Sequence, residues 1–192
     1  NVAQICNLAC TYCAAGGDGT YGSKTKVPDL DLTRAQLSKL LSLVPRGESF
    51  MITFLGGEPL VHPEIIRAIV RDARLLVAGR DVSLRFDIVT NGTLVTPELA
   101  EMLASMNANV TVSIDGAPED NDRARITKGG RGSSAMILKG LSELTKVKSR
   151  LGSLIAGAVF GKHNLNVVEA WEFLSTLPFD SIKFDFAAEV GD

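Results

Sequence analysis

The sequence has no fourth cysteine. Its three cysteines, Cys6, Cys10 and Cys13, all fall within the stretch CNLACTYC, in the spacing C-x3-C-x2-C. A disulfide framework needs cysteines in pairs, and a structural zinc site needs four protein ligands. The sequence therefore predicts a site that is satisfied by three thiolates from one short loop.

Long apolar runs and basic runs are also missing. No apolar stretch approaches the roughly 20 residues that span a bilayer, and no secretion signal opens the chain. The net charge is -2, the pI is near 5.8, and lysine and arginine form no run long enough to neutralise a row of phosphates. We therefore expect no membrane partner and no nucleic-acid partner. Clustered, unpaired cysteines fit a reducing compartment, so the expected location is cytoplasmic.

The remaining composition is that of a globular protein. Of 192 residues, 45% are apolar and 22% are charged, which suits a single domain with a full core. Short β-branched runs alternate with longer segments of helical period. The predicted strands are residues 2–5, 50–55, 85–91, 109–115, 154–160 and 181–187. The predicted helices are residues 31–44, 62–78, 97–106, 134–148 and 165–176.

Strands that are separated by single helices pair in parallel, which leaves a doubly wound sheet or an α/β barrel. In residues 109–115, apolar Val110, Val112 and Ile114 alternate with polar neighbours. A sheet covered by helices on both faces would show continuous apolar runs instead. The pattern favours an α/β fold in the form of a partial (β/α)6 barrel, with helices outside and a polar lumen.

Each of the first four predicted strands ends in a polar or glycine-rich motif. The cysteines follow the first strand, GGEP (56–59) the second, TNG (90–92) the third, and SIDG (113–116) closes the fourth. Working groups of such barrels gather at the C-terminal strand ends, so we expect these motifs on one rim. Glycines allow close approach of the backbone to a ligand, and carboxylates and hydroxyls supply acceptors.

Three thiolates can bind three irons of a four-iron cubane and leave the fourth iron open. With Tyr12 directly before the third cysteine, the sequence resembles the radical S-adenosylmethionine (SAM) superfamily. The resemblance implies a [4Fe-4S] cluster held by Cys6, Cys10 and Cys13. It also implies that SAM chelates the open iron and is cleaved to a 5'-deoxyadenosyl radical.

The same resemblance implies which residues contact SAM. Gly56, Gly57, Glu58 and Pro59 would hold the methionine ammonium, and Ser113 with Asp115 would approach the ribose. The further implied contacts are Arg125 to the carboxylate, Asn91 in the same pocket and Tyr12 against the adenine. No catalytic residue is implied, although Asp185 and His163 are candidates for lining the site.

Within the superfamily, the combined motifs are most similar to the SPASM-type maturases, which modify ribosomally made peptides and protein side chains. The implied partners are a peptide substrate, a leader-binding protein and an external one-electron donor. The expected modification is a crosslink, a thioether or an excision of the splicease type, because similar glycine-rich stretches follow the cluster motif in such enzymes, here residues 14–22. The auxiliary-cluster cysteines of that family are missing. Residues 1–192 are therefore expected to form the core domain alone, of a compact enzyme or of a longer one.

Other interpretations remain open from the sequence. The three cysteines could hold zinc with a distant histidine or carboxylate. Within the superfamily, the substrate could be a small molecule of cofactor biosynthesis. From another class, the chain could be a non-catalytic iron-sulfur or zinc module that serves as a partner subunit.

Overall fold

The computed structural model describes residues 2–13 and 27–187. Its centre is a sheet of five parallel strands, in which each strand pairs with the next one along the chain. The strands are β1 (Glu48–Phe54), β2 (Val82–Thr90), β3 (Asn109–Ser113), β4 (Ser153–Phe160) and β5 (Ser181–Phe186). The α-helices are α1 (Leu30–Ser42), α2 (Pro63–Val77), α3 (Pro97–Ser105), α4 (Pro118–Ala124), α5 (Ser134–Lys146) and α6 (Val167–Ser175). Short 3-10 turns cover Pro59–Val61 and Lys148–Arg150.

The two faces of the sheet differ in the way that the sequence predicts. In β4, Leu154, Ala156, Ala158 and Phe160 are fully buried, and the residues between them are partly exposed. The buried set packs under the helices in one apolar core, and the other set lines an open lumen. Sequential parallel pairing with a helix in every crossover gives a curled half-barrel, so the predicted fold class is confirmed.

The prediction of a first strand at residues 2–5 is wrong, because these residues are not a strand of the sheet. Residues 2–5 do lie beside the end of β1, where Val2 N donates to Leu55 O (3.0 Å). They form only one bridge, between Ala3 and Gly56, and no ladder. Among the described residues the sheet therefore has five strands and not six, and residues 2–5 act as a strap across its rim.

One helix was not predicted. Helix α4, with the sequence PEDNDRA, carries almost no apolar residue and so shows no helical hydrophobic period. The five predicted helices are present with ends shifted by no more than about two residues. Helix α1 is capped by Asp29, whose carboxylate accepts from Asp31 N and Leu32 N.

Two further expectations can be placed. In the part of the chain that the structure describes, no helix is long and apolar enough to cross a membrane. The glycine-rich residues 14–22 lie outside the described residues.

Candidate active site

The C-terminal ends of the strands open onto one cavity of about 790 Å³. This volume lies within the range of small-molecule pockets, roughly 300–1,000 Å³. Most of the predicted site residues line it: Cys6, Cys10, Tyr12, Cys13, Gly56, Gly57, Asn91, Ser113, Arg125 and Asp185. The predicted residues outside that lining are Glu58, Pro59, Asp115 and His163.

The loop that carries the cysteines is held by a distant segment. Leu8 forms an antiparallel bridge with Thr127, Ala9 N donates to Ile126 O (2.8 Å), and Thr11 N donates to Ala124 O (3.0 Å). The cysteine loop is thus paired, residue by residue, with the chain that leaves α4. The sequence analysis missed this support because neither segment has the alternation of a strand.

The cysteines are reduced, partly exposed thiols. Cys6 Sγ accepts hydrogen bonds from Leu8 N (3.4 Å) and from Asn91 Nδ2 (3.7 Å). Burial raises the pKa of the Cys6 thiol, and burial raises the pKa of Cys10 to about 11 although the Arg125 charge opposes the shift. Metal binding would therefore displace protons from these sulfurs.

The two glycines of GGEP are required because the main chain of residues 2–5 packs directly against them. A β-carbon on Gly56 would lie 2.2 Å from Ala3 O, and one on Gly57 would lie 2.4 Å from Ile5 O. Gly57 N donates to Ala3 O (2.8 Å) at this close approach. These glycines therefore admit the strap of residues 2–5, and their main chain also borders the cavity.

The Glu58 side chain turns away from the cavity. It is 1% exposed, and it accepts from Leu60 N (3.0 Å), the Thr90 hydroxyl (2.7 Å) and Asn91 N (2.7 Å). Burial raises its pKa, and these three hydrogen bonds oppose that shift. The expected free acceptor at Glu58 is thus engaged in joining the GGEP turn to the end of β2. Pro59 begins the 3-10 turn behind it and is buried.

Ser113 and Asp115 do not form the expected pair. Strand β3 ends at Ser113, so the alternation that was predicted through residue 115 stops there. Ser113 lines the cavity, whereas Asp115 is fully buried and accepts from the Tyr12 hydroxyl (2.6 Å), Arg125 Nη2 (2.9 Å) and Val159 N (2.9 Å).

Arg125 is both buried and turned to the cavity. Its side chain is 7% exposed, and it forms an ion pair with the fully buried Asp115. Its Nε lies 2.9 Å from Asp115 Oδ2 but is not aligned for a hydrogen bond, so this buried donor has no hydrogen-bond partner. The Arg125 guanidinium also lines the cavity, and a charged N–H donor group at a cavity wall is suited to an anionic ligand.

The Tyr12 ring contacts both the His163 ring and the Arg125 guanidinium. Its ring stacks on His163 with centroids 4.2 Å apart, and the Arg125 guanidinium carbon lies 5.4 Å from its centroid. Burial and the neighbouring Asp115 carboxylate raise its pKa although Arg125 opposes them, so the phenol is a donor at neutral pH. His163 therefore supports Tyr12 from behind, with its Nε2 3.0 Å from Val159 O.

Two more predicted residues reach the cavity. Asn91 bonds to Asn7 Oδ1 (2.9 Å) as well as to Cys6 Sγ, which links the end of β2 to the cysteine loop. Asp185 stands on the lumen face of β5 and pairs with Lys183 at 2.9 Å, both side chains being more than half exposed. Of the two catalytic candidates, only Asp185 is open to a substrate.

Comparison with known proteins identifies the family. Residues 1–174 match the Radical SAM superfamily. The chain belongs to this superfamily. The resemblance that the cysteine spacing suggested is confirmed.

Relatives of this radical SAM chain include proteins with different substrates. It is similar to the AdoMet-dependent heme synthase of Methanosarcina barkeri, with 34% identity over 143 residues, which is 73% of this chain and 36% of that protein. It is also similar to the mycofactocin maturase MftC of Mycobacterium ulcerans, with 31% identity over 141 residues, 72% of this chain and 33% of that protein. The chain therefore spans about a third of the length of these relatives.

A solved structure shares the fold. The chain described as "Native anSMEcpe with bound AdoMet and Kp18Cys peptide" aligns with a TM-score of 0.83 and 21% identity, over 97% of this chain and 49% of that one. This agreement covers the half-barrel and its connections. It supports the predicted radical SAM architecture.

Radical SAM enzymes use a [4Fe-4S] cluster and SAM, and the residues present fit both. Three thiols from one loop can bind three irons of a cubane, and the adjoining cavity offers a guanidinium donor. In residues 2–13 and 27–187, no three His, Cys, Asp or Glu side chains converge on a single ion. A cubane binds each cysteine through a different iron, so its ligands need not converge in that way.

Proposed function

We propose that this chain is the core of a radical SAM enzyme that modifies a ribosomally made peptide or protein. In this proposal Cys6, Cys10 and Cys13 hold the [4Fe-4S] cluster, and SAM binds in the cavity beside them. The observation that carries it is the lining of one cavity by three unpaired thiols together with Arg125. A barrel with a merely structural metal would not need a guanidinium at the wall of that cavity.

The chain's own groups have separate tasks in this scheme. The unspent donors of Arg125 bind the carboxylate of SAM, and Ser113 bonds to the ribose hydroxyls. The main chain at Gly56 and Gly57 faces the methionine ammonium, and Tyr12 lies beside the adenine. Glu58 lies behind this pocket and Asn91 is part of its wall, and their hydrogen bonds fix the rim that carries the other groups.

When bound, the cluster supplies one electron that cleaves the SAM sulfonium to methionine and a 5'-deoxyadenosyl radical, which takes a hydrogen atom from the substrate. The protein contributes a cavity that limits water and fixes the distance between the 5'-carbon and the substrate C–H bond. Asp185, at the open side of the lumen, is the side chain placed to contact the substrate. The electron comes from an external donor.

Three features support a peptide as the substrate. The chain is similar to a mycofactocin maturase, and the solved neighbour was described with a bound peptide. The half-barrel of five strands also leaves the lumen open on one side, which would admit a long chain laterally. A leader-binding protein partner would bring that peptide to the opening.

Anaerobic reconstitution tests the proposed chemistry. We expect iron and sulfide equivalent to one cubane per chain, and formation of 5'-deoxyadenosine from SAM with dithionite as the reductant. Cys10→Ala should abolish both, whereas Ser42→Ala, a matched change on exposed α1, should alter neither. Purified protein that contains zinc, or that holds a cluster but never cleaves SAM, would favour the non-catalytic module.

A second candidate function is radical chemistry on a small molecule. It is favoured by the 34% identity to a heme synthase, whose product is a tetrapyrrole. The two are separated by offering the reconstituted protein a set of deuterated Cys-containing and Ser-containing peptides or a set of tetrapyrroles. If only the deuterated peptides transfer deuterium to 5'-deoxyadenosine, the maturase function is supported. If only the tetrapyrroles transfer deuterium or are themselves consumed, the small-molecule function is supported.

A further inference from the structure

The Asp115 carboxylate is closed to a ligand by its burial and by its protein partners. Its Oδ1 accepts from Arg125 Nη2 and from Val159 N, each at 2.9 Å. Its Oδ2 accepts from the Tyr12 hydroxyl at 2.6 Å and forms an ion pair with Arg125 Nε at 2.9 Å. Three hydrogen bonds and this ion pair surround the two oxygens, and the residue is 0% exposed. To reach a ligand in the cavity, the carboxylate would have to break some of these contacts.

The backbone of Asp115 is fixed as well. Asp115 N donates to Asn121 Oδ1 of α4, and Asn164 Nδ2 donates to Asp115 O, both at 3.1 Å. The residue is fully buried. The cysteine loop, β3, α4 and β4 all meet at this one side chain, so it cannot rotate toward the cavity without loss of several of these contacts.

Two of its partners nevertheless line the cavity, namely Tyr12 and Arg125. We propose that Asp115 is a positioning residue for SAM, which orients the Arg125 guanidinium toward the SAM carboxylate and makes no contact with the ribose. This proposal rests on the proposed function, in that SAM is taken to bind in this cavity.

The electrostatics of the pair explain why orientation matters. Arg125 and Asp115 together are neutral, so an incoming carboxylate meets directed N–H groups and no net positive charge. Because Arg125 Nη2 donates to Asp115, the plane of the guanidinium is held in place. The orientation of its other N–H donors is thereby set as well. Charge-assisted bonds of this kind depend strongly on geometry. Without Asp115, the guanidinium would keep its positive charge, but its N–H groups would no longer be held in one orientation toward the SAM carboxylate.

The test compares two ligands that share the adenine and the ribose. SAM carries the amino-acid group, and 5'-methylthioadenosine lacks it. We expect Asp115→Asn to weaken SAM binding about tenfold or more, the loss of a charge-assisted bond, and to leave methylthioadenosine binding within about twofold. Dissociation constants come from anaerobic equilibrium dialysis of the reconstituted protein, with iron content measured for each sample. Equal weakening of both ligands would mean that Asp115 acts on the adenosine part that they share, at the ribose or through Tyr12, and would overturn the proposal, as would no weakening of either.

A double-mutant comparison keeps the test decisive if Asp115→Asn alone does not retain the cluster. Removal of both charges of a buried pair is tolerated better than removal of one. If Asp115 acts only through Arg125, then Asp115→Asn/Arg125→Gln and Arg125→Gln bind SAM equally. Weaker binding by the double variant contradicts the proposal. Asp120→Asn, at a buried aspartate that pairs with exposed Arg123, serves as the matched control with unchanged binding of both ligands. Wild-type protein that binds no SAM would instead refute the proposed function.

Discussion

The GGEP corner and the SIDG corner of the rim each contain a buried carboxylate, but the two are satisfied differently. Glu58 accepts only from neutral donors, at Leu60, Thr90 and Asn91. Asp115 accepts from a charged guanidinium and from the tyrosine of the cysteine loop. Each carboxylate thus holds residues that line the cavity, Thr90 and Asn91 at Glu58 and Tyr12 and Arg125 at Asp115. The difference is that the acid at the SIDG corner orients a charged group, so it can influence an anionic ligand that it does not touch.

The largest effect should come from removal of the charged partner at the SIDG corner. Asp115→Asn leaves Arg125 buried without a counter-charge, and we expect a loss of about 3 kcal/mol in the free energy of unfolding, the low end for a broken buried pair because Arg125 borders the cavity. Urea unfolding of the apoprotein measures it. A loss below that of the equivalent change at Glu58 would reverse the comparison.

Glu58→Gln should cost less, about 2 kcal/mol. The glutamine oxygen can still accept from two of the three donors, but its amide group then faces one N–H that is left unpaired. The same unfolding experiment applies. Glu101→Gln, in a pair with Arg150 in which both side chains are more than half exposed, is the control and should leave the free energy of unfolding nearly unchanged. A result for Glu58→Gln no larger than this control would show that the buried carboxylate is not needed.

Asp122 extends the comparison to a carboxylate that is only partly buried. Its Oδ1 accepts from Ser133 N (2.9 Å), Ser134 N (2.8 Å) and the Ser134 hydroxyl (2.7 Å) at the start of α5. Partial burial would raise its pKa, but these hydrogen bonds together outweigh it and lower the pKa. We expect Asp122→Ala to cost about 1 kcal/mol at pH 7, as for other helix caps.

The pH dependence of that cost has a definite sign. A lowered folded-state pKa means that the carboxylate stabilises the fold above its unfolded pKa of about 3.9. This stabilisation is lost as the pH falls through the folded pKa. The difference in stability between wild type and Asp122→Ala should therefore shrink at low pH, as measured by urea unfolding across the acid range. A difference that stays constant or grows would contradict the hydrogen-bond assignment.

The smallest effect concerns the cysteine loop itself. Asn91 Nδ2 donates to Cys6 Sγ, which is a cluster ligand in the proposed function, and a hydrogen bond to such a sulfur favours the reduced cluster. Asn91→Leu should lower the midpoint potential by about 40 mV, the one-electron equivalent of about 1 kcal/mol. An EPR-monitored redox titration gives this value. Thr93→Val removes a partner of Asn91 but leaves the sulfur contact, so it should shift the potential less.

Much of the fold was predictable because its signal is local. Strands β1 to β5 were placed within about three residues at each end, since their buried faces repeat every second residue. Residues 2–5 look like a strand by composition but pair only at Gly56, where the chain turns. Helix α4 was missed because its sequence has no apolar stripe, and its start at Pro118 was the one available signal.

The site was predictable in its membership and less so in its orientation. The cysteine spacing and the resemblance indicated the cysteines, Ser113 and Arg125, and all of them line the cavity, while their roles stay predictions. Parity along a strand could not show that Asp115 turns inward, because β3 had already ended two residues earlier. The same limit applies to Glu58, whose direction is decided by the turn that follows β1. Nor did any periodicity indicate that Arg125 and Tyr12 share one acid, since that contact joins distant parts of the chain.

The bridge between Leu8 and Thr127 has a consequence for biosynthesis. These residues are more than a hundred positions apart, so the ribosome makes the three thiols long before the segment that shelters them. The bridge can form only after the chain through Thr127, which includes β3 and α4, has been synthesised. In the proposed function, iron and sulfide delivered before that point would meet a cysteine loop that lacks this support.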